Sequence, residues 1–146
     1  MVFKLVVVGL VIIMAISLPA CSSPSPSNTN PAGISCDEFI NQNHIIEQVE
    51  KNAGEFFTVT LGSNPTTGFQ WNEEAKISDT GVVEQLQHEF IGPESEPPPP
   101  PGTPGQEVWT FRAQKEGTST ISMEYSRPWE GGEKGEWTYT LTITVK

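Results

Sequence analysis

The segment from Trp137 to Val145 constrains the fold more than any other part of the chain. Large apolar side chains occupy every second position of this segment, and threonines occupy each position between them. A period of two is typical of a β-strand with one buried face, whereas an amphipathic helix repeats every 3.6 residues. The chain therefore needs a sheet in which this strand can bury its apolar face.

Shorter segments with similar alternation predict the remaining strands. They are residues 44–49, 55–61, 82–90, 107–113 and 118–125, with an extended stretch from Trp71 toward Ile77. Turn signals separate these segments, and no long helical period competes with them. This pattern predicts an all-β sandwich of about seven short strands.

Residues 82–90 are the least regular of these segments. We place Val82, Leu86, His88 and Phe90 on its apolar side, but the incomplete alternation leaves a helix as an alternative.

Two connections between the strands have clear local signals. Residues 97–101 are five consecutive prolines, which exclude a helix or a central strand and predict a long, partly polyproline loop over residues 91–106. Residues 114–117 end in glycine and predict a hairpin turn.

The first 35 residues show no strand periodicity. A lysine followed by an apolar run predicts a signal segment over residues 1–20. The four residues that end at Cys21 resemble a bacterial lipobox, which predicts a lipid on Cys21; a plain secretory signal is the alternative. Residues 21–35 are rich in Ser, Pro and Asn and predict a flexible tether, which leaves residues 36–146 as the sandwich domain.

Charge and cysteine content limit the partners. The formal net charge of −10 at pH 7 disfavours nucleic acids and anionic membrane surfaces as partners. A lipid on Cys21 would leave Cys36 without a partner in the chain, and without that lipid a Cys21–Cys36 disulfide is open. Neither His44 nor His88 lies in a metal-ligand spacing, so we expect no metal and no cofactor.

Residues 64–69 have the composition of a rigid, neutral turn. Pro65 fixes its own φ and biases Asn64 toward an extended conformation, while Gly68 permits a positive φ. The Asn64 side chain can bond the nearby backbone and stiffen the turn, which holds two threonine hydroxyls at its tip. The segment contains no ionisable group. Taken alone, it is also compatible with an ordinary loop between strands.

Two further stretches give this turn a functional meaning. Residues 102–105 end the proline-rich segment, and residues 127–129 read Arg-Pro-Trp in a polar surrounding. The three motifs, in this order on an all-β pattern, resemble the chagasin-like inhibitors of papain-family cysteine peptidases over about residues 36–146. The resemblance implies an immunoglobulin-like sandwich whose three loops plug the peptidase cleft together.

The resemblance also assigns each loop a place in the cleft. Thr67 would lie nearest the catalytic cysteine and histidine, residues 102–105 would follow the non-primed side, and Trp129 would pack on the primed side. Arg127 is expected to stiffen its loop, with a contact to the enzyme as the alternative, and the proline run to be a spacer or an accessory contact. Trp71 is expected to lie in the core, and Phe69, which leads into Trp71, is more often a core residue than a contact. The resemblance thus implies that the peptidase-binding residues are Asn64, Pro65, Thr66, Thr67, Gly68, Phe69, Gly102, Thr103, Pro104, Gly105, Arg127, Pro128 and Trp129.

These observations predict a reversible, competitive inhibitor of papain-like cysteine peptidases. They do not predict an enzyme, because the three motifs contain no histidine, cysteine or carboxylate that could act as nucleophile or base. The alternative is a cell-surface β-sandwich for binding or adhesion with no peptidase target. We expect a monomer, held by the lipid on Cys21 at the outer face of the cell membrane or in the periplasm, and secreted if that lipid is absent.

Overall fold

Nine β-strands and one short 3₁₀ helix make up the regular secondary structure of the computed structural model, which describes the backbone of residues 32–34 and all atoms of residues 43–93 and 97–146. The strands are β1 (Ala32–Ile34), β2 (His44–Lys51), β3 (Phe56–Ser63), β4 (Gln70–Trp71), β5 (Lys76–Ile77), β6 (Val83–Ile91), β7 (Gly105–Ala113), β8 (Gly117–Ser126) and β9 (Trp137–Val145). The 3₁₀ helix, Pro65–Thr67, lies between β3 and β4.

The strands form two sheets. Sheet A has the order β1-β3-β7-β6, and sheet B has the order β2-β9-β8-β4, with β5 also paired to β8. The β1–β3 and β2–β9 pairs are parallel, and the other described pairs are antiparallel. The predicted all-β sandwich is confirmed.

The core lies between the sheets and uses the apolar faces predicted for β3, β7, β8 and β9. The buried apolar residues are Ile45, Phe57, Val59, Leu61, Phe69, Trp71, Val82, Val83, Trp109, Phe111, Ala113, Ile121, Met123, Tyr125, Tyr139, Leu141, Ile143 and Val145. Trp71 of sheet B meets Trp109 of sheet A edge to face, with ring centroids 6.4 Å apart. Trp71 is therefore a core residue, as predicted.

Strand β6 forms as predicted. Its predicted apolar side is correct at Val82, which is buried, and at His88, whose ring centroid lies 4.7 Å from that of Trp109, but it is wrong at Leu86. Val83 is buried, whereas Leu86 and Phe90 are each 47% exposed. The pairing of β6 with β7 shifts register on either side of Leu86. Leu86 is the extra residue of a bulge: Val83 and Gln85 face inward before it, and His88 and Phe90 face inward after it. Phe90 pairs with the buried Glu107 and is exposed near the open end of the strand.

Residues 114–117 cross from sheet A to sheet B, so the predicted hairpin is wrong. They join β7 to β8, and Gln114 N donates to Val82 O at 2.8 Å in the segment that precedes β6. The amino-acid composition of a turn predicts only that the backbone changes direction there. The sheet that the next strand joins depends instead on which apolar faces meet in the core.

Strand β1 lies inside the predicted tether. Ala32–Ile34 pairs in parallel with residues 59–61 of β3, so the tether as predicted overlaps the sheet. Three residues are too few to show a periodic signal. The predicted signal segment, Cys21 and Cys36 lie outside the described residues. The described part of the chain contains no helix that is long and apolar enough to cross a membrane.

Candidate functional site

Three loops meet at one end of the sandwich. We call residues 64–69 the first loop, residues 102–105 the second loop and residues 127–129 the third loop. The first loop joins sheet A to sheet B, the second leads into β7 of sheet A, and the third follows β8 of sheet B. Because Ser63 pairs with Gly105 and Gln70 pairs with Ser126, the other two loops flank the first on either side.

Hydrogen bonds within the first loop fix it as a single turn. The Asn64 side-chain oxygen accepts from Thr66 N at 3.3 Å and from Thr66 Oγ1 at 2.6 Å. The Asn64 main-chain oxygen accepts from Thr67 N at 3.1 Å and Thr67 Oγ1 at 2.7 Å, and Pro65 O accepts from Gly68 N at 3.0 Å. The predicted stiffening by Asn64 is confirmed. Both threonines are exposed, so the tip of the turn is neutral and accessible.

Two contacts hold the base of the first loop to the sandwich. Asn64 N donates to the Tyr125 hydroxyl of β8 at 2.9 Å, and Trp71 Nε1 donates to Gly62 O of β3 at 3.0 Å. The second bond joins the incoming strand to the outgoing one directly below the turn. The first loop is thus tied to both sheets, which reduces the entropy that it can lose on binding.

A tight turn brings the second loop against the first. Pro100 O accepts from Thr103 N at 3.2 Å and from Thr103 Oγ1 at 2.7 Å, and Gly102 has φ of 89°. These are the features of a type II turn with Pro101 and Gly102 at its centre. The Asn64 side-chain nitrogen donates to Gly102 O at 2.9 Å, which links the two loops directly.

Trp129 of the third loop leans over the first loop. Its side chain is 51% exposed, in agreement with the predicted exposed aromatic anchor. A Cβ added to Gly68 would lie 2.6 Å from Trp129 Cη2, and Gly68 has φ of 80°. Glycine is therefore needed at position 68 for two reasons, the left-handed backbone and the space for the indole.

The guanidinium of Arg127 lies between the first and third loops. Its Nη1 bonds Glu133 Oε2 at 2.9 Å, its Nη2 donates to Thr67 O at 3.4 Å, and its carbon lies 4.5 Å from the centroid of the Phe69 ring. These contacts are all within the protein. They hold the third loop against the first, which is the stiffening that the sequence favoured for Arg127, and its contact with a peptidase stays a prediction.

Two of the predicted peptidase-binding residues are buried. Phe69 is 8% exposed and stacks on Tyr125 with centroids 5.5 Å apart, so it supports the first loop from below. Gly105 belongs to β7, and a Cβ there would lie 2.5 Å from Ile91 O. Both residues stand at the edge of their motif, where the chain enters the sandwich and turns inward. The other predicted residues of the three loops are exposed or half-buried.

Two supports of the loops lie outside the motifs and were missed in the sequence. The Tyr125 hydroxyl holds the first loop, as described above. The Lys134 ammonium donates to the carbonyls of Arg127 and Trp129 and so closes the third loop. Tyr125 ends the alternating segment 118–125, and nothing in that pattern indicates a bond to the first loop. Lys134 lies in the glycine-rich stretch 131–135, which carries no signal for its contacts.

A buried carboxylate lies beneath the first and second loops. Glu107 Oε1 accepts from Ser63 Oγ at 2.6 Å, and Glu107 Oε2 bonds His88 Nε2 at 2.8 Å. Glu107 alternates in phase with Trp109, which was a signal that its side chain points inward. Because Ser63 bonds the carboxylate and not the imidazole, this trio lacks the serine–histidine contact that activates a nucleophile.

The described residues around the loops form no metal centre. Across residues 43–93 and 97–146, no group of three or more His, Cys, Asp or Glu side chains is arranged to hold a metal ion. The site offers instead a rigid neutral turn, a flanking type II turn and a half-exposed indole. Such a surface can bind another protein without any bond being made or broken.

Comparison with known proteins places these loops in a family. The profile of the chagasin family of peptidase inhibitors, I42, matches residues 51–143, which contain all three loops. The chain belongs to the chagasin family. Amoebiasin-2 of Entamoeba histolytica is 30% identical over 109 residues, which cover 70% of this chain and 85% of that protein. Chagasin of Trypanosoma cruzi is 30% identical over 92 residues, covering 62% of this chain and 81% of chagasin.

A solved structure agrees with the family assignment at the level of the fold. PbICP-C, determined in complex with falcipain-2, aligns with a TM-score of 0.58 at 18% identity, covering 79% of this chain and 99% of that one. The chagasin-family chain is thus an immunoglobulin-like sandwich, as the motifs implied. Its family consists of peptidase inhibitors, in agreement with the predicted function.

Proposed function

We propose that this chagasin-family protein inhibits papain-like cysteine peptidases reversibly and competitively, by placing its three loops in the active-site cleft. One observation carries the proposal. The first loop, which is neutral and exposed at its tip, is hydrogen-bonded to the second loop through Asn64 and covered on its other side by Trp129. Three contact elements are therefore assembled before binding, so little conformational entropy is lost on association.

The internal bonding of the first loop explains why it would not be cut. A substrate must present its scissile carbonyl to the oxyanion hole of the peptidase. In the first loop, the carbonyl of Asn64 accepts two hydrogen bonds and that of Pro65 accepts one, all from within the turn. Presenting either carbonyl productively would require the turn to open. The loop then fills the space beside the catalytic pair without undergoing acyl transfer.

The relatives support a peptidase partner. Their family is one of peptidase inhibitors, and PbICP-C was determined in complex with falcipain-2. The alternative, an adhesion module without a peptidase target, gains no specific support from the site. We also propose that the protein is not an enzyme, since its Ser63, Glu107 and His88 are arranged in the wrong order for nucleophilic catalysis.

Attachment to a membrane is part of the proposal. The lipobox-like sequence predicts a lipid on Cys21 and a monomer at the outer face of the cell membrane or in the periplasm. Cys21→Ser should then release the protein from the membrane fraction or leave it unprocessed. Wild-type protein found only in the soluble fraction would contradict the lipid anchor and leave the inhibitor proposal intact.

Titration of papain tests the main proposal. The titration uses a shortened protein that starts at Ser22, which we call the soluble chain. It keeps β1 and lacks both the signal segment and Cys21. We expect papain activity to fall as the soluble chain is added, with KM raised and kcat unchanged, and to recover on dilution. Equal papain activity with and without the soluble chain would favour the adhesion module.

A further inference from the structure

The outer edge of sheet A carries an apolar surface next to the second loop. Six large hydrophobic side chains are exposed among the described residues, and three of them, Leu86, Phe90 and Ile91, belong to β6. Phe90 and Ile91 end this strand at the same end of the sandwich as the three loops, because Ile91 pairs with Gln106 at the start of β7. Their side chains leave the strand on opposite faces of sheet A. The Phe90 ring lies against Gly105 of the second loop, where an added Cβ would be 2.7 Å from Phe90 Cζ. Exposed apolar groups that lie together mark interaction sites more often than isolated ones do.

Sheet order places this surface opposite Trp129. From β3, which leads into the first loop, sheet A continues through β7 to β6 at its edge. Trp129 belongs to the loop that follows β8 in sheet B. Across this end of the sandwich, the spatial order is therefore Trp129, the first loop, the second loop and the end of β6.

The proline run extends the same side of the site. Pro97, Pro98, Pro100 and Pro101 are exposed, and Pro99 is half-buried. The run ends in the type II turn at Gly102, which is bonded to the Asn64 side chain. Its last residues are thus fixed relative to the first loop. A proline segment is already stiff and presents rings and carbonyls instead of N–H groups, which suits apolar or aromatic surfaces.

We propose that Ile91, Phe90 and the proline run form a second apolar anchor, which contacts the peptidase beside the non-primed side of its cleft. This inference rests on the proposed inhibition of papain-like peptidases. The partner is the peptidase itself, because the anchor continues directly from the second loop. Neighbouring strands lie about 4.8 Å apart, so Ile91 lies roughly 10 Å from the base of the first loop, two strands away. A standard interface covers about 800 Å² per partner, or about 15 Å in each direction from its centre.

The test compares two exposed residues of the same strand. Ile91→Thr removes apolar surface at the site end of β6 and keeps a β-branched side chain, which suits a strand. Leu86→Thr is the control, because Leu86 is 47% exposed against 43% for Ile91. Five residues of strand, about 17 Å, separate the two positions. A third variant replaces residues 97–99 with serine and keeps Pro100 and Pro101, so that the type II turn is preserved.

We expect the Ki of the soluble chain for papain to rise about three- to tenfold for Ile91→Thr and for the serine variant, a change of about 1 kcal/mol. The rise should be the same at low and high salt, since an apolar contact is not screened. Leu86→Thr should leave Ki unchanged, and all three variants should keep the wild-type melting temperature within a few degrees.

Each other outcome decides against the anchor. Unchanged Ki for Ile91→Thr would overturn it while leaving the three-loop inhibitor in place. An equal rise in Ki for Leu86→Thr and Ile91→Thr would show a general effect on β6 and would also overturn it. Absence of papain inhibition by the unmodified soluble chain would overturn both this anchor and the proposed function.

Discussion

The first and third loops lie side by side but are held by different interactions. The first loop is neutral, and its shape comes from Pro65, from a left-handed Gly68 and from short hydrogen bonds to Asn64. The third loop is held by charged side chains, with Arg127 bonded to Glu133 and Lys134 bonded to two carbonyls. A charge in the first loop would have to lose its water inside a catalytic cleft, whereas charges beside the third loop remain in solvent.

This contrast separates the two tasks of an inhibitor. The element that enters the catalytic site takes its rigidity from covalent geometry and backbone bonding, which leaves no charge to desolvate. The element that packs on the rim can use exposed ion pairs, because each contributes only up to about 1 kcal/mol and is not buried on binding. Variants of the two loops should therefore differ in what they change and by how much.

The largest effect is expected from a charge in the first loop. Thr67→Arg places a guanidinium where a neutral tip must fit beside the catalytic histidine cation, and it also removes the bond from Thr67 Oγ1 to Asn64 O. We expect Ki for papain to rise by about a hundredfold or more, since an unpaired buried charge costs about 3 kcal/mol or more. Thr67→Ser keeps the hydroxyl and should inhibit within about threefold of wild type. An Arg variant that inhibits normally would show that position 67 stays in solvent.

Removal of the indole should have the next largest effect. Trp129→Ala deletes the half-exposed anchor, and we expect Ki to rise about thirtyfold, or about 2 kcal/mol. The melting temperature should fall by no more than a few degrees, because about half of the ring already lies in solvent in the free protein. Phe56→Ala is the matched control, since Phe56 is 61% exposed and begins β3 at the far end of the strand from the first loop. A lower melting temperature with unchanged Ki for Trp129→Ala would make Trp129 a structural residue.

The contact between the two loops can be tested at Gly68. Gly68→Ala strains a positive φ and pushes a methyl group against Trp129, so we expect Ki to rise about tenfold and stability to fall by about 1 kcal/mol. Gly54→Ala is a matched control, because Gly54 has φ of 87° and open space around its Cα. It should lose similar stability and keep full inhibition. Equal inhibition by the two alanine variants would mean that the position of Trp129 does not depend on the first loop.

The smallest effect is expected from the exposed ion pair of the third loop. Glu133→Gln weakens the contact with Arg127 Nη1, and both side chains are partly in solvent. We expect Ki to change by about twofold at low salt and less at high salt. A loss as large as that of Trp129→Ala would mean that the ion pair, and not the backbone, sets the orientation of the indole.

The sequence predicted the fold well where apolar residues alternate without interruption, as in β7, β8 and β9. It failed where a single inserted residue changes the phase of the alternation: Leu86, which simple alternation buries, is the extra residue of the bulge and is exposed, whereas Val83 before it is buried. It also failed at residues 114–117, since local turn chemistry contains no information about which sheet comes next. These errors concern long-range packing, which one strand pattern cannot show.

For the site, the residues at the loop tips were predictable and their supports were not. Asn64, Pro65 and Gly68 act on their own neighbours, so their roles follow from local backbone rules. The Tyr125 hydroxyl accepts a hydrogen bond from Asn64 N, but the two residues are 61 positions apart in the chain. No rule based on local sequence predicts this contact. Gly105 was assigned to the interface because its motif does not mark the residue at which the loop enters the core. Phe69 was included with its motif, although its position before Trp71 already favoured the core, where it lies.

Intact-mass analysis of the inhibited mixture tests the central claim most directly. The soluble chain and active papain are incubated for a long period with the peptidase in excess, and the masses of both proteins are then measured. The account predicts that both masses stay unchanged, because the carbonyls of Asn64 and Pro65 remain bonded within the turn. Cleavage between Asn64 and Phe69 in proportion to inhibition, or a covalent adduct on papain, would contradict it.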